Sequence, residues 1–250
     1  MTEPLPAVVH ARPGTVANGY PIGMLCAQWN IPFVPGDLNH AATFDFPMRY
    51  VEVDGLIGAD ILRGDGAKFT DLMVDAARAL EAEGVRAITS NCGFMAGYQG
   101  VVADAVRIPV FLSSLLQLNL VTHLVGRDRR VGVLAANSRA VTEDLLADVG
   151  FADHRRIVVQ GLEDFPHFRE VIFDEVGRME PARFAAEVVE GARRLQEEHP
   201  DVGAIVVECS DLPAYSAAIR AATGLPVYDW ASFIDYVHHA VAPRTYTGAY

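Results

Sequence analysis

Val85-Arg86-Ala87-Ile88-Thr89-Ser90-Asn91-Cys92 returns 117 residues later as Val202-Gly203-Ala204-Ile205-Val206-Val207-Glu208-Cys209. The two stretches stay in step without a gap over about 26 positions, pairing Tyr98 with Tyr215 and Pro109-Val110 with Pro226-Val227. Each copy reads as a helix, a Val-x-Ala-Ile strand, a cysteine, a second helix and an x-Pro-Val strand. A repeated βαβ unit predicts two similar lobes about an approximate two-fold axis. Open parallel sheets bind ligands beyond the carboxyl ends of their strands, so the two cysteines are expected to face one another across a cleft.

Outward from the repeat, short β-rich runs alternate with longer helical patterns, the signature of parallel sheets covered by helices. Strands are predicted at 22–26, 86–90, 110–112, 131–135, 156–159, 204–208 and 227–229. A helix at 68–83 stops at Gly84, and one at 181–198 opens on Pro181 and closes before Pro200. Residues 30–49 hold Pro32, Pro35, Gly36 and Pro47 and read as one long irregular loop, a length at which loops are often functional. The expected fold is α/β with two pseudo-symmetric lobes, each a parallel sheet flanked by helices, and the active site in the cleft between them. Residues 1–126 plus 227–250 form the first lobe in this reading and 127–226 the second.

Composition removes several function classes. With 51% hydrophobic and 21% charged residues in 250, the chain is globular, not disordered, collagenous or a coiled coil. A net charge of -12 repels polyphosphates, so nucleic acid is not an expected partner. Lys68 is the only lysine and sits at a helix start, which argues against a pyridoxal Schiff base; no cofactor is expected. Three scattered cysteines without a Cys-x-x-Cys read as free thiols in a reducing compartment, with cytoplasm the expected location. Residues 1–14 lack a secretory pattern, and the most apolar run, 106–125, is broken by Arg107, Gln117, Asn119 and His123, so no membrane span is expected. The histidines show no metal-ligand spacing, Gly93, Gly97 and Gly100 fit no phosphate loop, and no Gly-x-Ser-x-Gly elbow occurs. Metal is not expected.

A thiol between a strand and a helix meets backbone N–H groups and the positive end of the helix dipole, both of which favour thiolate. A thiolate on one side of a substrate carbon and a thiol on the other can remove a proton from one face and return one to the opposite face. Burial in a duplicated core is the plain alternative for such a pair. The neighbours Asn91, Gly93, Glu208, Ser210 and Asp211, polar or small, favour a functional role. Cys26 has no counterpart and reads as packing.

With Thr89-Ser90-Asn91-Cys92-Gly93-Phe94 and Glu208-Cys209-Ser210-Asp211-Leu212-Pro213, the sequence resembles the aspartate/glutamate racemase superfamily over roughly residues 21–239. That cofactor-independent group includes hydantoin racemases, maleate cis-trans isomerases and arylmalonate decarboxylases. The resemblance implies that Cys92 and Cys209 are the acid and base, that Ser210 contacts a substrate carboxylate, and that Asp211 tunes or relays the second thiol's proton. Amino-acid racemases of the group follow the first cysteine with Asn-Thr. Gly93-Phe94 stands there instead, pointing to a larger or more apolar substrate than aspartate or glutamate. Arylmalonate decarboxylases keep only the second cysteine, so Cys92 favours an isomerase, a racemase or epimerase of a small carboxylate or amino-acid-like compound. A maleate-type cis-trans isomerase with a nucleophilic cysteine and a non-catalytic small-acid binder are the alternatives. A homodimer is implied by the resemblance alone.

Asn91, Gly93 and Phe94, Ser114 after the 110–112 strand and Asn137 after the 131–135 strand are the remaining candidate substrate contacts. Ser113, Ser114, Asn137 and Ser138 serve equally well as helix caps. Asp229 reads as a cap. His167, in Asp164-Phe165-Pro166-His167-Phe168, reads as part of a surface turn or of a loop over the site.

Overall fold

The computed structural model describes residues 8–11, 16–62, 66–246 and 248; most of the 1–14 stretch read for a leader lies outside them. Strands β1 (Ile22–Gln28), β2 (Met48–Ile57), β3 (Ala87–Ser90) and β4 (Val110–Phe111) form a sheet in the order β2-β1-β3-β4. Strands β5 (Arg130–Ala135), β6 (Ile157–Gly161), β7 (Val202–Val207) and β8 (Val227–Tyr228) form another in the order β6-β5-β7-β8. The two orders are the same once counting restarts at β5, and every pairing is parallel. Each sheet begins in its middle, grows to one side and then crosses to the other. That reversal leaves a crevice beyond the carboxyl ends of β1 and β3, and of β5 and β7.

The central strands β3 and β7 are buried at every residue, as parallel strands covered on both faces must be. All seven predicted strands are present, with ends shifted by two residues or fewer. Strand β2 was not foreseen. It lies at the sheet edge, is partly exposed, carries Asp54-Gly55 within it, and pairs with β1 through a register shift between Cys26 and Gln28. The irregular loop therefore ends at Pro47. The helix Pro181–Glu198 has the predicted bounds and buries Phe184, Val188, Ala192 and Leu195.

The predicted lobe boundary at 226/227 falls too early. β8 pairs with β7, completing the second sheet as the repeated x-Pro-Val strand should. Only the following helix, Trp230–Val241, returns to the first lobe, where Trp230 and Ile234 bury beside Ile22, Met24, Ala87 and Phe111. Asp229 caps that helix through the Ser232 amide at 2.8 Å. The largest apolar core runs through both lobes, joining Leu25 and Ile88 to Leu134, Ile205 and Val207, with Cys92 and Cys209 inside it. Among the described residues no helix is long and apolar enough to cross a membrane.

Candidate active site

Cys92 and Cys209 each lie two residues beyond a central strand, β3 and β7, and both line one cavity. The sequence motifs therefore converge on a shared space, and Gly93, Phe94, Ser210 and Asp211 line it too. The chain beyond β1 supplies a wall of Trp29, Ile31, Phe33 and Asn39. Glu208 completes the polar side. Among the described residues no lysine, arginine or histidine lines the cavity.

The repeat explains how the cysteines are aimed. Asn91 and Glu208 are equivalent positions, one residue before each thiol. The Asn91 amide donates to Leu25 O at 3.1 Å and the Glu208 amide to Leu134 O at 3.0 Å. Their side chains then accept from the next amides along the central strands: Asn91 Oδ1 from Ala27 N at 2.9 Å, Glu208 Oε2 from Ala136 N at 3.1 Å. One architectural bond is thus made by an amide in the first lobe and by a carboxyl in the second. Asn91 does not line the cavity; its Nδ2 donates instead to Asn39 Oδ1 at 3.0 Å and Ala27 O at 3.3 Å.

Gly93 has a steric reason. A Cβ at this position would lie 2.6 Å from Glu208 Cδ and 2.7 Å from Glu208 O. Any side chain after the first cysteine would collide with that carboxyl group. The departure from Asn-Thr is coupled to the presence of a buried glutamate across the cleft.

The expected thiolate stabilisation is overturned. Burial pushes both thiols above their ordinary value, first by desolvation and then, for Cys92, by the charge of Glu208, and for Cys209 by those of Asp211 and Glu208. The amides of Phe94 and Met95 draw Cys92 back down, and that of Asp211 draws Cys209, by less than burial raises them. Burial thus favours the neutral thiol at both positions. Cys209 Sγ donates to Asp211 Oδ2 at 3.2 Å. Glu208 is itself pushed up to about 8, by burial and then by the Asp211 charge, against the pull of the Ala136 amide.

The 30–49 loop takes part more directly than its irregular sequence shows. Gly36, at φ 99°, sits where a Cβ would lie 2.6 Å from Ala214 Cα, so only glycine lets the loop close on the second lobe. Three consecutive residues then tie the cysteine segments together. Asp37 hydrogen-bonds with the Asp211 carboxyl, Leu38 N donates to Ser210 O at 3.2 Å, and Asn39 accepts from Asn91. Asp37 is fully buried and pushed up to about 9, first by desolvation, then by the charge of Asp211 and the hydrogen bond to it.

Other predicted contacts fall elsewhere. Ser114 Oγ accepts from Gln117 Nε2 at 2.9 Å and Ser113 caps the following turn at Leu115 N; neither lines the cavity. Asn137 caps the next turn through Arg139 N at 3.2 Å and donates to Leu62 O at 3.1 Å. Both positions do the capping that short polar residues after a strand do. Ser210 lines the cavity, with its hydroxyl donated to Asn91 O at 2.8 Å. His167 is neither a surface turn nor a cavity residue. It is buried in the helix Pro166–Ile172, its Nδ1 3.0 Å from Glu170 and its Nε2 accepting from Glu180 N at 2.9 Å. Cys26 is half-buried against Met24 O, in keeping with packing. Glu208, Asp37 and the wall Trp29, Ile31, Phe33 and Asn39 were not foreseen. The one available signal was that Glu208 is the repeat partner of Asn91.

No protein-family model matches the chain. A dimethylsulfoniopropionate lyase of Durusdinium sp. clade D is 33% identical over 214 residues, covering 83% of this chain and 70% of that protein. Dimethylsulfoniopropionate lyase 7 of Emiliania huxleyi is 30% identical over 220 residues, covering 84% of this chain and 64% of its own length. Among solved structures, allantoin racemase from Klebsiella pneumoniae superposes with a TM-score of 0.59 at 15% identity, over 89% of this chain and 87% of that one. Arylmalonate decarboxylase superposes at 0.56 and 20% identity, over 90% and 94%. The fold is that of the superfamily the motifs suggested. The isomerase class is overturned, because the curated relatives are lyases. The chain belongs to the family of the dimethylsulfoniopropionate lyases, on the fold of the aspartate/glutamate racemase superfamily.

Proposed function

We propose that this chain is a lyase that splits dimethylsulfoniopropionate into dimethyl sulfide and acrylate. One observation carries the reading: the cavity holding both thiols presents two carboxyl groups, Glu208 and Asp211, and three aromatic rings, Trp29, Phe33 and Phe94, with no cationic side chain among the described residues of its wall. A dicarboxylate or amino-acid anion finds repulsion there. A sulfonium cation that has shed water finds carboxylates and ring faces.

The chemistry keeps the first step a racemase performs and changes the second. A base removes the proton from the carbon beside the carboxylate; the C–H electron pair becomes the new double bond, and the C–S pair leaves with neutral dimethyl sulfide. Atoms balance as substrate to sulfide, acrylate and one proton. A single base suffices. We assign it to Cys209, whose proton has an acceptor in Asp211 at 3.2 Å. Cys92 remains a thiol and donates to the substrate carboxylate as enolate-like charge develops. Burial, reinforced by nearby carboxylate charge, favours the protonated thiols; an arriving cation offsets the charge and so favours the thiolate. The sulfonium end activates the thiol that attacks the other end.

The test is headspace measurement of dimethyl sulfide from the chain and from Cys209→Ser and Cys92→Ser. Loss of about a thousandfold or more is expected for Cys209→Ser and a smaller loss for Cys92→Ser. Absence of sulfide release by the unaltered chain, with binding retained, would leave a binder and overturn the reading.

A further inference from the structure

Glu175 has φ 47°, a conformation that side chains rarely adopt, and among the described residues it is the one non-glycine with a positive φ. It lies just past the helix Pro166–Ile172 of the second lobe and is held by Asn30, which follows β1 in the first. The Asn30 amide donates to Glu175 Oε2 at 2.7 Å, and Asn30 Nδ2 donates to Glu175 O at 2.9 Å. Gly177, at φ 70°, makes room for the asparagine: a Cβ there would lie 3.2 Å from Asn30 Nδ2. Backbone outliers of this kind cluster at clamps and switches, where neighbouring bonds keep them in place.

Asn30 stands between two residues of the reaction cavity, Trp29 and Ile31, and Ile172, three residues before Glu175, lines the same space. With its walls as they stand, that cavity has room for about one water molecule. A ligand of several heavy atoms enters only if a wall moves. The walls built from the ends of β3 and β7 are buried. The wall from the 30–49 loop differs: Trp29 and Ile31 are half-buried, and Phe33 lines the cavity while 38% exposed, which puts it at the mouth.

Residues 31–35 run between two attachments of unequal strength. The far end leads into Asp37 and Leu38, both buried, with Gly36 N donating to Thr43 Oγ1 at 3.0 Å and Leu38 N to Ser210 O at 3.2 Å. The near end is the Asn30–Glu175 pair, whose two bonds lie at the surface, where water replaces them at little cost. Pro32 and Pro35 stiffen the span between the attachments.

We propose that residues 31–35 are a flap over the reaction cavity, that Asn30 and Glu175 form its latch, and that ligands enter when the latch opens. The inference goes beyond the lyase reading, because it concerns access to the two thiols whatever reaction follows. Neither Asn30 nor Glu175 lines the cavity. Both act through the flap and are positioning residues.

The test is site-resolved alkylation of the folded chain by iodoacetamide, read by mass spectrometry at Cys92, Cys209 and Cys26. Cys26 does not line the cavity and reports any loosening of the chain as a whole. Asn30→Ala removes the Nδ2 bond. Glu175→Gly removes the carboxylate acceptor and suits the positive φ, so the turn keeps its shape. Each variant is expected to speed alkylation of Cys92 and Cys209 about threefold to tenfold, and the two together about tenfold or more, with Cys26 within about twofold of the unaltered chain. Cavity-thiol rates within about twofold of the unaltered chain in the double variant overturn the flap, and so does a parallel rise at Cys26. If the double variant does not fold, the single variants decide by the same criterion. The measurement needs no turnover, so a chain that releases no dimethyl sulfide loses the lyase reading and leaves this test intact.

Discussion

Replacing Gly93 with alanine tests the coupling between the two cysteine segments. The new methyl would lie 2.6 Å from Glu208 Cδ and 2.7 Å from Glu208 O, closer than real Cβ contacts come, so one side of the cleft must shift. If the carboxyl moves, it leaves the Ala136 amide, a 3.1 Å bond in a buried setting whose loss is worth about 1–3 kcal/mol. Overpacking adds about 1–3 kcal/mol. Together these lower stability by roughly 2–6 kcal/mol, or the melting temperature by roughly 4–24 °C for a chain of this size. Calorimetry on the single variants and on Gly93→Ala with Glu208→Ala closes a double-mutant cycle. Removing the carboxyl relieves part of the clash and leaves the part against the backbone oxygen, so a coupling of about 1–3 kcal/mol is expected. A Gly93→Ala protein that melts with the unaltered chain, or one equally destabilised in both backgrounds, would refute the reasoning.

Glu208→Gln tests the linkage of burial to pH. A carboxyl near 4.5 in the unfolded chain and pushed up to about 8 in the folded one contributes stability that is full below pH 4.5 and is lost as pH rises through 8. Denaturant titrations should therefore show the unaltered chain losing a few kcal/mol relative to Glu208→Gln across that window, then no further change; parallel curves would count against a charged, buried Glu208. In calorimetric binding, 4-methylpentanoate, which has the shape of the sulfonium substrate without its charge, should bind at least about tenfold more weakly than dimethylsulfoniopropionate to the Cys209→Ser protein; equal affinities would remove the case for a cation site. Asn91→Ala orphans the Ala27 amide and frees Asn39, and should lower stability by about 1–3 kcal/mol in chemical denaturation. A neutral result there would mean the loop is held by other bonds.

The fold was legible because duplication writes the same strand, cysteine and strand twice, and burial forces apolar residues into β3 and β7 on both occasions. The edge strand β2 was hidden by the opposite circumstance: one exposed face admits Glu52 and Asp54, and Gly55 interrupts the alternation. Both thiols, Gly93, Phe94, Ser210 and Asp211 line the cavity because they are adjacent in sequence to the repeated strand ends. Asn91, Ser114 and Asn137 lie elsewhere: the two asparagines accept from backbone amides and Ser114 from the Gln117 side chain, local bonds that a polar residue after a strand makes before it can serve a ligand. The wall from Trp29 to Asn39 follows no periodicity, and its place depends on long-range bonds that no local pattern encodes. The isomerase expectation failed because a pair of thiols does not by itself tell inversion from elimination: both reactions begin with proton removal beside a carboxylate.

The strap formed by Asp37, Leu38 and Asn39 has no twin. The matching link after β5, residues 136–156, holds the short helix Glu143–Asp148 instead. Inherited duplication makes the halves alike, and this strap makes them different: it sets the Asp37 carboxyl beside Asp211 in one half and has no counterpart in the other. Inverting a stereocentre calls for two faces of comparable competence. Expelling a leaving group calls for one, so the proposed elimination does not need the two halves to match.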